Sequence, residues 1–563
     1  MICNNKLRVS LIVCALYFVL VPVCQACSKR IVVKNQSEFN DLQNQVTRLI
    51  DRGYNNIRII LRPGEYYYQK KHITLQSVNK SKLMISIQGD ATLTPIEDKH
   101  SPVTPYNSLF AGGDSFTPWT ETFSTNGKIA VVNSNNKEFR LCRSDTEDIS
   151  VGDFVLVTKW YTSGIYKIIR FDKSNIYFEA PDTRYREQYG DYDINYDYIY
   201  KKEYPRYILF LKSQIPKDFY CCGNTQFLYC NNCVIKSLTI EGVHFVGGAN
   251  EPLLQFEDVK AEKLYFSDCA FRDLMGDVIY GKNSNVFFVN NCLFQNCASD
   301  VIRTDNQTHN MTIISCKFES CGQHLSNPSC IVSSGINYTI ANNVFVDFYG
   351  RALTLGAYFS TGMNTHSSGI VKENEFYYTD DFFNSAPHNL LMDNGAIYVN
   401  TINDELIIKN NFIHNIAGAG DNNGIFMDDG ARNTTILGNI IINTPTGHAI
   451  SSRRVKSVEE LAGQTNVGNV IKDNIIGGSI RFEGREECNN DCILGTNYIL
   501  SNGVSAPYKN KLENVSVTGD CIPLTYARIN GSQIELTKSS YSDIDNIPAR
   551  DWVKKYIVEE MKK

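Results

Sequence analysis

From residue 260 onward the chain repeats one short phrase: a few apolar residues in alternation, a polar corner, then a second apolar run introduced by Asn or Cys. The copies read YFSDCAF, FVNNCLF, IISCKF, IANNVF, VKENEF, IKNNFI, ILGNII, IKDNII and GTNYI. They align Cys269, Cys292, Cys316, Asn343, Asn374, Asn411, Asn439, Asn474 and Asn497, at intervals of 23, 24, 27, 31, 37, 28, 35 and 23 residues. A floor near 23 with longer intervals scattered above it describes a coil of short strands that accepts insertions at its corners. The runs are β-branched and aromatic, without helical periodicity, and they lack the leucine framework of leucine-rich repeats.

Asparagines stacked coil on coil can hydrogen-bond to one another through their side-chain amides, as at the bends of a right-handed parallel β-helix. The cysteines of the same column then read as stacked inner thiols. Ahead of the coil, SEFNDLQNQVTRLIDRG places Leu42, Val46, Leu49 and Ile50 on one helical face, and this helix is expected to cover the open edge of the first coil. Residues 101–215 interrupt the repeat with alternating strands and a Tyr-rich loop, an expected antiparallel insertion beside the coil. The organisation is therefore all-β: a signal peptide over 1–26, an N-terminal capping helix and first coils over 27–100, an inserted β subdomain over 101–215, the parallel β-helix over 216–503, and a tail or cap over 504–563 with a final amphipathic helix.

A first strand precedes each Asn or Cys strand: DVIYGK, DVIRTD, CIVSS, ALTLG, AIYVN, GIFMDD, AISSRR and SIRFEG. Alternation points Ile397, Val399, Ile425, Met427, Ile480 and Phe482 inward. One outward column then holds Tyr280, Arg303, Val332, Thr354, Tyr398, Phe426, Ser451 and Arg481, expected to face solvent. A second holds Lys282, Asp305, Ser334, Gly356, Asn400, Asp428, Arg453 and Glu483. Asp428 and Glu483, two coils apart, have backbones about 10 Å apart with Arg453 between them. Such carboxylates suit acid and base roles across a glycosidic bond, the wider spacing favouring inversion. Asp429 is the alternate carboxylate; Tyr398, Phe426, Asn400, His448, Arg453 and Arg481 are the substrate-binding candidates. Asp393 joins them from a corner insertion that also carries Asp380, Asp381 and His388. The competing structural reading is a self-neutralising ladder of Asp, Arg and Glu on a solvated face.

The N-terminus has Lys6 and Arg8, an apolar stretch from Leu11 to Val23, and small residues around Ala26, which reads as an export signal. Lipid attachment at Cys27 is the rival processing. Nothing later is apolar for long enough to span a bilayer, so the mature chain is expected outside the cytoplasm, in the periplasm, at the cell surface or beyond it. Of 18 cysteines, Cys488 and Cys492 are candidates for a disulfide, and the cluster Cys221, Cys222, Cys230 and Cys233 reads as disulfide or buried thiols in preference to zinc. No cofactor is called for, calcium at an Asp-rich bend being the alternative. A net charge of −5 gives no cationic surplus for nucleic acid.

The Asn and Cys ladder, the capping helix and the rows GAIYVN, GIFMDDGARN and HAISSRR resemble the pectin-lyase-like superfamily of right-handed parallel β-helices. The resemblance spans about half the chain and implies fold more firmly than activity. Most members are exported polysaccharide lyases and glycoside hydrolases, some are binding proteins or adhesins, and the resemblance implies a polysaccharide substrate. Polygalacturonase-like hydrolases carry an Asp-Asp pair, then Gly-His, then Arg-x-Lys. Asp428-Asp429, Gly447-His448 and Arg481 follow in that order, although Phe482-Glu483 replaces x-Lys and an Asn-Thr-Asp element is not matched. The lyases use a basic residue to remove a proton beside a uronic carboxylate, a role open to Arg453, Arg454 or Arg481. Hydrolase, lyase and non-catalytic glycan binder are thus the three expectations, in that order.

Overall fold

The computed structural model describes residues 28–95 and 226–501 apart from short stretches at the corners, together with the backbones of individual strands within 123–210 and 508–536. Strands follow one another around a coil with three sides. Each pairs in parallel with its counterpart one coil on, giving three parallel sheets in a right-handed parallel β-helix. The first sheet runs from Lys71–Gln76 through Ser329–Ser333, Arg351–Leu355, Asn394–Val399, Asn422–Met427 and Ile450–Arg454 to Ile480–Gly484. The second begins at Ser28–Val33 and Asn56–Leu61, the third at Gly64–Tyr68.

The core lies inside the coil and is itself stacked. Phe245, Phe271, Phe294, Phe318, Phe345 and Phe376 pile up face to face, with centroid separations falling from 5.2 to 4.7 Å. Ile413, Ile441 and Ile476 continue the pile in register. In-register parallel pairing sets like residues about 4.8 Å apart, which matches the packing distance of offset-stacked rings.

At the bend before each third-sheet strand, the expected ladder forms. Each amide nitrogen of Asn343, Asn374, Asn411, Asn439 and Asn474 donates to the carbonyl oxygen of the next member, ending on Asn497, at 2.9–3.0 Å. The same oxygens accept the backbone N–H of the preceding coil's ladder residue. The residue just before the ladder is left-handed in coil after coil: Asp268, Asn291, Ser315, Asn342, Glu373, Asn410, Gly438 and Asp473 have φ between 51° and 62°. Asn, Asp and Gly tolerate that conformation best, which explains the polar residue ahead of each ladder position. Cys269, Cys292 and Cys316 extend the column as buried free thiols.

The helix Leu42–Asp51 buries Leu42, Val46, Leu49 and Ile50 as its periodicity predicts. Gln43 and Gln36, in the short helix Gln36–Asn40, do more. The Gln36 amide accepts from Tyr67 N–H and donates to Tyr67 C=O, and the Gln43 amide does the same at Thr74. Two side chains thus stand in for a missing strand at the edge of the first coil.

The chain leaves the coil at Pro95 and returns at Gln226, and strand Gln226–Val246 pairs directly with Lys71–Gln76 and Asn79–Pro95. Between them, strands from Phe123–Ser124 to Tyr207–Phe210 form a separate seven-stranded antiparallel sheet. Parallel pairing continues past residue 503, where the sequence repeat fades. Tyr508–Lys509, Val515–Val517 and Cys521–Asn530 add strands to the three sheets, before Gln533–Leu536 turns back antiparallel. Cys521 follows Asp520 and pairs with Asn497, so the Asn or Cys column runs one coil beyond Asn497, while Tyr508–Lys509 and Val515–Val517 carry no such phrase. The expected final helix lies outside the described residues. The disulfide expectation for Cys492 fails: it is a buried free thiol. Cys230 and Cys233 are likewise buried and free, and Cys221, Cys222 and Cys488 lie outside the described residues.

Candidate functional site

The outward column of the first sheet has the register read from the sequence. Thr354 pairs with Tyr398, Tyr398 with Phe426, Phe426 with Ser451 and Ser451 with Arg481. Ile397, Val399, Ile425, Met427, Ile480 and Phe482 all lie in the core, which fixes the opposite side for their neighbours. Solvent exposure does not follow: Tyr398 is 6% exposed, Phe426 1% and Ser451 2%. Alternation decides which side of a sheet a residue takes; what packs over that side decides whether it is wet.

Asp428 corrects the expectation in the same way. It is buried at 8% exposure, and the Tyr398 phenol donates to its Oδ2. The Asp428 N–H donates to Val399 C=O at 3.0 Å, so the backbone stays in the ladder to this point. The Tyr398 ring is clamped on two sides. Phe426 meets it edge-on at 5.5 Å, and the Arg351 guanidinium lies over its face, 3.4 Å from the centroid. A cation over a buried ring is held by the ring quadrupole, so Arg351, Tyr398 and Asp428 form one cation, ring and carboxyl assembly.

A second assembly borders it. His448 Nδ1 lies 2.7 Å from Ser479 Oγ, and His448 Nε2 lies 3.4 Å from Arg481 Nη1. A guanidinium can only donate, so Nε2 accepts and Nδ1 carries the proton toward Ser479. The His448 backbone N–H donates to Asn423 Oδ1. Gly447 permits the approach: a Cβ there would stand 1.9 Å from the Asn422 carbonyl oxygen.

Arg453 is half-buried and pairs in register with Glu483, whose position is described for the backbone only. Asp393, Asn400 and Asp429 lie outside the described residues. The structure thus brings Tyr398, Phe426 and Asp428 together, with His448 and Arg481 in contact beside them. Sequence reasoning missed Arg351, Ser479 and Asn423. Arg351 opens the strand Arg351–Leu355, and period-two alternation with Leu353 and Leu355 assigns it inward, away from the site. Ser479 and Asn423 carry no signal beyond their polarity. Among the described residues, no group of three His, Cys, Asp or Glu side chains is arranged to hold a metal, and no helix is long and apolar enough to cross a membrane.

Three parallel sheets with a continuous asparagine ladder settle the architecture. It is a right-handed parallel β-helix. No family model matches the chain, and no curated protein is similar to it in sequence. Among solved structures, the β-helix is similar to a glycoside hydrolase at 8% identity and a TM-score of 0.35, over 91% of this chain and 96% of that one. It is similar to XylC in complex with xylose at 11% identity and a TM-score of 0.26, over 80% and 71%. The tailspike protein gp49 from Pseudomonas phage LKA1 gives 10% identity and a TM-score of 0.26, over 86% and 76%.

Proposed function

We propose that this β-helix is an exported carbohydrate-active enzyme, a glycoside hydrolase that cleaves a polysaccharide on the first-sheet face. The observation that carries the reading is the Asp428 carboxyl: buried, gripped by the Tyr398 hydroxyl under Arg351, just beyond the pair Met427 and Ser452, with Arg453 and Glu483 paired on the next two coils. A self-neutralising surface ladder needs neither the burial nor the phenol. The phenol fixes one carboxyl oxygen and so fixes the direction of the other. Asp428 and Glu483, on backbones about 10 Å apart, take the acid and base roles, one protonating the glycosidic oxygen while the other deprotonates a water. Arg481, in contact with His448, supplies fixed positive charge for an oxygen-rich substrate.

The test is product analysis over a polysaccharide panel with purified wild type, Asp428→Asn and Glu483→Gln. Each variant is expected to stay folded and lose at least about 100-fold in reducing-end release. Full activity in Asp428→Asn discards the assignment. Unsaturated, ultraviolet-absorbing products move the chemistry to elimination, with Arg481 as the first candidate base. Retention of glycan without cleavage makes the protein a binder.

A further inference from the structure

The first-sheet face carries a second organised patch, on coils well before Asp428. Tyr229, Gln255, Tyr280 and Arg303 follow one another in register, with Asn231, Glu257 and Lys282 in the column beside them. From Tyr280 to Phe426 is five coil steps, or about 24 Å, so this patch is separate from the proposed catalytic one.

Glu257 is its centre. One carboxylate oxygen accepts from the Tyr229 hydroxyl at 3.3 Å and from Asn231 Nδ2 at 3.0 Å, and the other accepts from Gln255 Nε2 at 2.9 Å. Asn231 Nδ2 also donates to the Tyr229 hydroxyl, and Gln226 Nε2 donates to Gln255 Oε1. Side chains from two strands thus hold a carboxylate and two amides in fixed directions. The rings are fixed as well, with Lys71 Nζ 3.7 Å over Tyr229 and the Arg303 guanidinium 4.5 Å over Tyr280. Arg303 is itself anchored by Asp277 at 2.8 Å. Yet Tyr229, Gln255, Glu257 and Tyr280 are only half-buried, so the array faces outward. A carboxylate on a plain solvated strand has no need of three clamping partners. Fixing polar groups before a ligand arrives reduces the ordering cost of binding it.

We infer that this array is a binding site for neutral, hydroxyl-rich sugar units, an anchoring subsite on the same face as the proposed cleavage site. The inference takes its ligand class from the proposed carbohydrate activity. Carboxylate and amide groups held in rigid directions match hydroxyls that both donate and accept. The preference for neutral sugars follows from the charges: Lys71, Lys282 and Arg303 stand against Asp277, Asp300, Glu257 and Asp305, which leaves no surplus cation for an anionic sugar.

The test is native electrophoresis of the full chain through gels containing galactomannan, xylan, mixed-linkage glucan or dextran, with polygalacturonate as the anionic comparison. At least one neutral polysaccharide is expected to retard the wild type. Glu257→Ala, and separately Gln255→Ala with its smaller structural consequence, are expected to weaken retardation about tenfold, the loss of one well-formed contact, with unchanged thermal melting. Asp428→Asn is expected to abolish cleavage and leave retardation intact. The inference is overturned if no neutral polysaccharide retards the chain, if only polygalacturonate does, or if both patch variants run as wild type. Retained cleavage by Asp428→Asn overturns the catalytic assignment alone, since retardation is read independently of it.

Discussion

Replacing Asn411 by Ala is the sharpest test of what holds the coil together. Asn411 is fully buried in the middle of the ladder. Its oxygen accepts the Asn374 backbone N–H at 3.0 Å and the Asn374 amide at 2.9 Å, and its nitrogen donates to Val371 C=O and Asn439 Oδ1. Truncation leaves the Asn374 backbone N–H and one proton of its amide without partners in a dry interior. Each orphaned donor costs about 1–3 kcal/mol. Asn439 Oδ1 is spared, because it still accepts the residue 411 backbone N–H. The expected loss is therefore about 4 kcal/mol, against less than about 0.5 kcal/mol for the exposed control Glu405→Ala. Asn411→Cys should fall between, because a thiol accepts weakly, as Cys316 Sγ does from Cys292 N–H at 3.5 Å. Urea unfolding followed by far-ultraviolet circular dichroism reads the midpoints at constant slope. An Asn411→Ala midpoint indistinguishable from that of Glu405→Ala would refute the ladder's energetic role.

Three further outcomes follow from the same structure. His72 is sandwiched between Phe39 and Phe227, and burial lowers its pKa from 6.5 to about 4. The unfolded chain then binds the extra proton, so up to about 3 kcal/mol of stability is lost as pH falls from 6.5 toward 4. His72→Phe should flatten that part of the stability profile, and an unchanged acid limb would count against it. Gln43→Ala should cost about 1–2 kcal/mol by exposing the Thr74 edge, and should raise self-association in sedimentation velocity; a monomer of wild-type stability would contradict the edge role. Tyr398→Phe, which removes the hydroxyl but keeps the ring under Arg351, should lower the turnover of any glycan cleavage at least about tenfold, and should cost about 1–3 kcal/mol of stability because the buried Asp428 carboxyl loses a donor. Wild-type turnover would remove Tyr398 from the site.

The sequence by itself determined the coil. An inner residue stacks on its counterpart one coil on, so the repeated Asn and Phe positions carry the fold locally, and the inward or outward side of Tyr398, Phe426 and Arg481 follows from alternation alone. The helix face of Leu42, Val46, Leu49 and Ile50 was legible for the same reason. Tertiary structure alone decided the rest. That Asp428 is buried and held by Tyr398 depends on a diagonal contact between coils and on what lies over the sheet, neither of which has a period. Arg351 reaches the site from the first position of its strand, against the alternation that places Leu353 and Leu355 inward. The strands Tyr508–Lys509 and Val515–Val517 pair without any recognisable repeat phrase, because backbone hydrogen bonds extend a parallel sheet whatever side chains it carries.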